Sequence, residues 1–307
     1  MTTHSPYPPG DATAARANDT RRVSNWLNGA IKTQFRTIEG LSIRYAESAA
    51  RDDHALLLCP WPESLFAFEP TWLRLAECAH LVAVDLPGFG HSQRSDALLS
   101  VRAMGEFVLR LADAFGLENP HVVGPDIGTG ALLFAAATQP GRLRSLVVGS
   151  GASAFPLELG SPLKEWVEAP DLDEFRRIDP RQIVARVLTS IERYALPDSV
   201  REDYLSAYAG DRFVESMRYV RTYPTELAVL RDVLPRVETP VQIIAGGRDS
   251  AVPPVNAEFL DARLLKPKLD IIDAGHFVWE DAADAYAALV TSWWRGGYAT
   301  AGSIAAG

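Results

Sequence analysis

The sequence predicts an α/β protein with a mostly parallel, eight-stranded sheet and a helical cap inserted after the sixth strand. Three observations carry that prediction. Eight short apolar, β-branched runs recur along the chain, helical patterns separate the later ones, and from about residue 153 to 236 the strands stop while helical patterns continue. Strands that alternate with helices belong to parallel sheets covered on both faces.

The strand candidates are "TQFRTI", "LSIRYA", "HALLLC", "HLVAVD", "HVVG", "RSLVVGS", "VQIIAG" and "LDIID". Val101, Met104, Val108, Leu111 and Phe115 recur at steps of three and four residues, which draws one apolar helix face. "PVNAEFLDARLL" opens on Pro, and "WEDAADAYAALVTSWW" closes the folded part of the chain. In the strand-free stretch, "DPRQIVARVLTSIERYAL" carries Pro near its start and "PDSVREDYLSAYAG" ends in Gly, as helices do. The implied organisation is a flexible arm over 1–30, a core over 31–152, a helical cap over 153–236, the rest of the core over 237–296, and a frayed tail over 297–307. A cap inserted there sits over the C-terminal edge of the sheet, where open α/β sheets bind ligands.

Composition narrows the function classes. The chain has 307 residues, 47% of them hydrophobic, enough for one large domain with an insertion. A net charge of −9 and a pI near 5.2 offer no Coulombic gain to nucleic acid or an anionic membrane. No apolar run approaches the roughly 20 residues that span a bilayer, and residues 1–22 lack a signal peptide's apolar segment. Cys59 and Cys78 form no disulfide framework or metal spacing, which fits reduced thiols in a cytoplasm. No His/Cys/Asp/Glu spacing implies a metal, and no glycine fingerprint implies a nucleotide cofactor.

The chemistry concentrates at three strand ends. "VVGPDIGTG" reads as strand, sharp turn and helix, with Asp126 at the tip between Gly124 and Gly128. Such a turn exposes its central side chain at strained backbone angles. The plain alternative is an Asp that caps the helix beginning near Ile127. Two later loops weigh against that alternative. "AGGRDS" places Asp249 after one strand, and "DAGHFVWED" places His276 after the last. All three groups fall at one sheet edge in the chain order nucleophile, acid, histidine.

These motifs resemble the α/β-hydrolase fold over roughly residues 34–296, with "HLVAVDLPGFGHSQ" and "DAGHFVWED" similar to its loop before the nucleophile and its histidine loop. Within that superfamily, Asp as nucleophile marks epoxide hydrolases and haloalkane and haloacetate dehalogenases, whereas esterases, lipases and carbon–carbon hydrolases use Ser. The resemblance implies an ester of Asp126, hydrolysed by water that His276 and Asp249 activate, with an oxyanion hole from the N–H groups of Trp61 and Ile127. "CPWP" stands where the family usually shows His-Gly-x-Pro. Ile127 lacks the indole of haloalkane dehalogenases and the Arg of haloacetate dehalogenases, and so fits an epoxide site.

Epoxide hydrolases generally protonate the opening oxygen from two cap tyrosines. Tyr219, Tyr223 and Trp166 are the candidates for that role here, while Tyr194 and Tyr204 read as cap packing. His91 lies near the site by fold and has no assigned role. The reading is thus a cytoplasmic epoxide hydrolase that needs no cofactor and acts on a small apolar epoxide, with a homodimer left open. Arg-over-Lys preference and Ala-rich composition suggest a GC-rich bacterial genome, and similar actinobacterial hydrolases act on polyketide epoxides in secondary metabolism. The rivals are a dehalogenase with the same triad and a non-catalytic small-molecule-binding homologue.

Overall fold

The computed structural model describes residues 31–301; the arm expected over 1–30 and the last residues of the tail lie outside them. All eight apolar runs form strands: β1 (Thr33–Ile38), β2 (Leu41–Glu47), β3 (His54–Leu58), β4 (His80–Val84), β5 (His121–Pro125), β6 (Ser145–Gly149), β7 (Val241–Gly246) and β8 (Pro267–Ile272). They lie in the order β1-β2-β4-β3-β5-β6-β7-β8. The pairs β1–β2 and β2–β4 are antiparallel, and every later pair is parallel. β5 and β6 are buried along their whole length, as strands covered on both faces must be.

The core helices are α1 (Glu69–Ala76), α2 (Val101–Ala114) and α3 (Ile127–Thr138) before the cap. After it come α9 (Val255–Asp261), α10 (Val278–Asp281) and α11 (Ala283–Trp294). Two apolar layers form, one on each face of the sheet. Met104, Phe107, Leu132 and Leu146 belong to one, and Trp72, Leu75, Val290 and Trp293 to the other. Between β6 and β7 run five helices: α4 (Leu163–Glu168), α5 (Pro180–Leu188), α6 (Asp198–Ala207), α7 (Arg212–Val220) and α8 (Tyr223–Val233). Among the described residues no helix is long and apolar enough to cross a membrane.

Residues 297–300, read as the start of a frayed tail, instead form a 3-10 turn. The Tyr298 ring packs edge-on against His121 and Trp293, and that contact holds the turn.

Buried ion pairs tie the cap to the sheet. Arg44 of β2 holds Asp203 of α6 through both guanidinium nitrogens, at 3.1 and 2.6 Å, and reaches Asp85 at 3.5 Å. Burial pushes the Asp85 carboxyl up to about 6, against the pull of Arg44. Asp203 goes the other way: burial would raise it, but the His91, Arg44 and Ser64 contacts bring it down to about 2. Arg44→Ala leaves the buried Asp85 and the half-buried Asp203 without their cation, which should cost roughly 3–5 kcal/mol in a urea unfolding curve. A loss below about 1 kcal/mol, the range of exposed ion pairs, would contradict this role for Arg44.

Candidate active site

The turn from β5 into α3 places Asp126 at φ 50°, ψ −119°. That backbone costs an ordinary residue of order 1–3 kcal/mol, so the surroundings must hold it. The Asp126 N–H donates to the Gly149 carbonyl at 3.0 Å, and the Thr129 N–H donates to the Asp126 carbonyl at 3.0 Å. The Thr129 hydroxyl lies 3.2 Å from the Gly149 carbonyl oxygen. A Cβ on Gly124 would stand 2.7 Å from Leu132, and one on Gly151 would stand 2.3 Å from the Asp126 carbonyl oxygen. One on Gly128 would meet Leu58 at an ordinary 3.6 Å. The close crossing therefore depends on Gly124 and Gly151, not on Gly128. The Asp126 side chain makes no capping bond to the helix, so the plain reading of a helix cap fails.

Its carboxylate is instead held from two sides. The Trp61 N–H donates to Oδ2 at 2.8 Å, and the Ile127 N–H hydrogen-bonds the same carboxylate. Oδ1 faces the His276 Nε2 at 3.8 Å. Behind the ring, Nδ1 meets Asp249 Oδ2 at 2.8 Å, and the N–H groups of Ala251 and Val252 fix the other Asp249 oxygen at 2.9 and 2.8 Å. Asp126, Asp249, His276, Trp61 and Ile127 thus meet at one point. Oδ2, held by the Trp61 N–H, is the oxygen placed to gain charge if the Asp126 carbonyl is attacked. Oδ1, on the histidine side, is the oxygen placed to act as nucleophile.

Electrostatics favour an ion pair at rest. Burial acts to lower the His276 pKa, but the charge and hydrogen bond of Asp249, with Asp126 beyond, raise it to about 9. Burial raises the Asp126 carboxyl above the usual carboxylate range, against His276 and the two N–H donors. An ester on Asp126 removes its charge, and with it part of what raises His276. The ring then becomes easier to deprotonate just when a base is required.

Aromatic rings line the cap side. The Trp61 indole stacks on Phe213 at 5.2 Å and meets Trp166 edge-on at 5.1 Å. Its Nε1–H donates to the Ser216 hydroxyl of α7 at 2.8 Å, so the Trp61 indole proton is occupied. The candidate donors now separate. The Tyr219 hydroxyl donates to the Ile127 carbonyl at 2.8 Å and so braces the turn after Asp126. Tyr223 packs edge-on to Tyr219 at 6.2 Å. Burial, then Tyr219 and the Asp126 charge, hold the Tyr223 phenol in its protonated form. Neither Tyr223 nor Trp166 has a side-chain hydrogen-bond partner among the described residues.

Several side chains at the site carry no motif of their own. Tyr204, read as packing, donates its hydroxyl to Glu280 at 3.1 Å. Trp279 packs edge-on to His276 at 5.8 Å and lies 3.1 Å from Glu63 through Nε1. Asp281 accepts the N–H groups of Glu192, Arg193 and Tyr194, tying the cap to the histidine loop. His91 binds the Asp203 carbonyl at 3.2 Å and so belongs to the cap attachment. Glu63 follows the "CPWP" stretch and Glu280 lies in "DAGHFVWED", but only their burial distinguishes them from surface acids.

The profile of the alpha/beta hydrolase fold matches residues 55–283. The chain belongs to the α/β-hydrolase family. Among its relatives in this family, the 2-hydroxymuconate semialdehyde hydrolase of Pseudomonas putida is 27% identical over 227 residues, 71% of this chain and 77% of that protein. The esterase of Exiguobacterium antarcticum superposes with a TM-score of 0.73 at 19% identity, over 86% of this chain and 100% of that one. The epoxide hydrolase of Vigna radiata gives 0.68 at 16%, over 87% and 99%. At these identities the superpositions establish the α/β-hydrolase fold and leave the reaction open.

Proposed function

We propose that this α/β hydrolase opens a small, apolar epoxide to a vicinal diol through an ester on Asp126. The observation that supports the reading best is the carboxylate at the turn: Oδ2 is held by the Trp61 N–H, with the Ile127 N–H also on the carboxylate, and Oδ1 faces the histidine. A carboxylate attacks an sp³ carbon without a general base, and the strained C–O bond supplies the leaving group. In the first step, Asp126 Oδ1 bonds to carbon while the ring oxygen takes a proton from Tyr223, with the Trp166 indole N–H as a second donor to that oxygen. Between the steps the Tyr223 phenolate regains a proton through solvent as the His276 imidazolium gives one up. In the second, neutral His276 draws a proton from water, which attacks the ester carbonyl, and the N–H groups of Trp61 and Ile127 receive the oxyanion. Its collapse breaks the carbonyl C–O bond to the substrate, whose departing oxygen takes the proton of the new carboxyl to give the diol. Trp61, Trp166 and Phe213 form apolar walls suited to an aryl or alkyl group.

The dehalogenase reading keeps one feature, the Trp166 indole. It lacks a second side-chain halide donor, since the Ile127 side chain has no polar hydrogen and the Trp61 indole is bound to Ser216. The test is a panel of epoxides and haloalkanes, followed by product analysis and the mass of the intact protein. Diol from epoxides without halide release supports the proposal, and halide release without diol replaces it with the dehalogenase. Ligand-induced stabilisation with no turnover would point to a binding protein.

A pH dependence follows. Ester hydrolysis requires neutral His276, so its rate should rise with pH and level off below the resting value of about 9, because the ester has removed the Asp126 charge. Single-turnover decay of the ester against pH reads this directly. A midpoint at or above the resting His276 value would contradict it.

A further inference from the structure

We propose that Glu63 and Glu280 hold one proton between them, so that a single negative charge is fixed between the Trp61 loop and the histidine loop. The two carboxyls come from segments 217 positions apart in the sequence and are buried, at 0% and 3% exposure. Their carboxyls come within hydrogen-bonding reach of each other. Two carboxylates this close are both acceptors, so they need a hydrogen between them, and a buried charge without a partner costs far more than a shared one.

The donors around the pair count out to one proton. The Trp279 Nε1–H lies 3.1 and 3.5 Å from the two Glu63 oxygens, and the Tyr204 hydroxyl donates to Glu280 Oε1. Glu280 Oε2 is buried with no N–H or O–H facing it among the described residues. A proton shared with Glu63 completes it. A second proton would find no acceptor there. Burial pushes both groups above the ordinary glutamate range; the Glu280 charge raises Glu63 further, whereas the contact with Glu63 works to lower Glu280. The other groups facing the pair are acidic or phenolic: Asp126 toward Glu63, Asp281 and Glu69 toward Glu280, Tyr194 and Tyr204 toward Glu280, and the Cys59 thiol beside Glu63. The ring of His276 reaches the pair through Trp279.

Glu63 and Glu280 are therefore positioning residues. The pair joins the loop that carries the Trp61 N–H to the loop that carries His276, and Tyr204 extends it into the cap. Its charge raises the proton affinity of the Asp126–His276 couple whether or not the protein acts on epoxides.

The experiment needs no substrate, so its outcome is separate from that of the epoxide-hydrolase reading. Infrared spectra at neutral pH, compared in H₂O and D₂O, read the carbonyl stretch of a protonated carboxyl, and NMR titration reads the His276 ring. The wild-type protein should show one protonated carboxyl that disappears in both Glu63→Gln and Glu280→Gln. Each amide replaces the shared proton and keeps the single charge, so His276 should titrate as in wild type in both. Glu63→Gln/Glu280→Gln has no charge, and its His276 pKa should fall by about one unit, the size expected for a unit charge at this range and an effective dielectric near 20. Glu280→Met strands Glu63 as a neutral acid and should shift His276 the same way, should the double variant fail to fold. A band that persists in both single variants means two protons, and no band in wild type means none. Either result overturns the proposal, as does a His276 titration indifferent to loss of the charge.

Discussion

Replacing His276 by Gln should leave the protein able to alkylate itself and unable to finish. The attack on carbon uses the Asp126 Oδ1, which the imidazole faces at 3.8 Å, and a carboxylate needs no general base for that step. Hydrolysis of the ester has no comparable independence, because water must lose a proton and the ring held by Asp249 is the base positioned to take it. General base catalysis is worth about 10² to 10⁴ in rate. The variant should therefore accumulate an adduct heavier than the protein by the mass of the epoxide. Asp126→Asn should show neither adduct nor turnover, because an amide is no nucleophile toward an epoxide. An adduct on Asp126→Asn, or none on His276→Gln with an epoxide that wild type consumes, contradicts the two-step scheme.

Tyr223→Phe should slow ester formation by about 10² to 10⁴, the ordinary value of a general acid, and leave ester hydrolysis within a few-fold. The opening oxygen leaves as an alkoxide unless a proton meets it. Tyr219→Phe is the informative control. Its hydroxyl is committed to the Ile127 carbonyl, so its loss should loosen the turn that carries Asp126 rather than remove the proton. Stopped-flow measurement of the first turnover separates the two. Equal losses of ester formation in both variants would return Tyr219 to the donor role; an unaffected Tyr223→Phe would move that role to Trp166 or elsewhere.

The sheet was legible because its central strands, buried on both faces, are apolar throughout, and all eight runs read from the sequence became strands. The meeting of Asp126, Asp249 and His276 was legible for a related reason. Each follows a parallel strand, and parallel strands deliver their C-terminal loops to one edge. What stayed hidden depends on side-chain direction. Tyr219 and Tyr223 sit one helical turn apart in sequence, but the chain breaks between α7 and α8, so spacing could not say which hydroxyl turns back to Ile127. The pairing of Glu63 with Glu280 was equally silent, since a carboxyl in a loop ordinarily means solvent. Nor did "GPDIG" reveal that Gly151, from the next strand's exit, matters more to the turn than Gly128.

The central claim is that Asp126 bonds to carbon, and the path of oxygen decides it. If water attacks the carbonyl of the Asp126 ester, the diol receives its new oxygen from the carboxylate, and solvent oxygen stays on the protein. A single turnover in ¹⁸O water, with enzyme in excess, should yield unlabelled diol and one heavy oxygen in the peptide that contains Asp126. Labelled diol in that first turnover, with an unlabelled Asp126 peptide, would mean that water attacks the epoxide directly and that Asp126 is not the nucleophile.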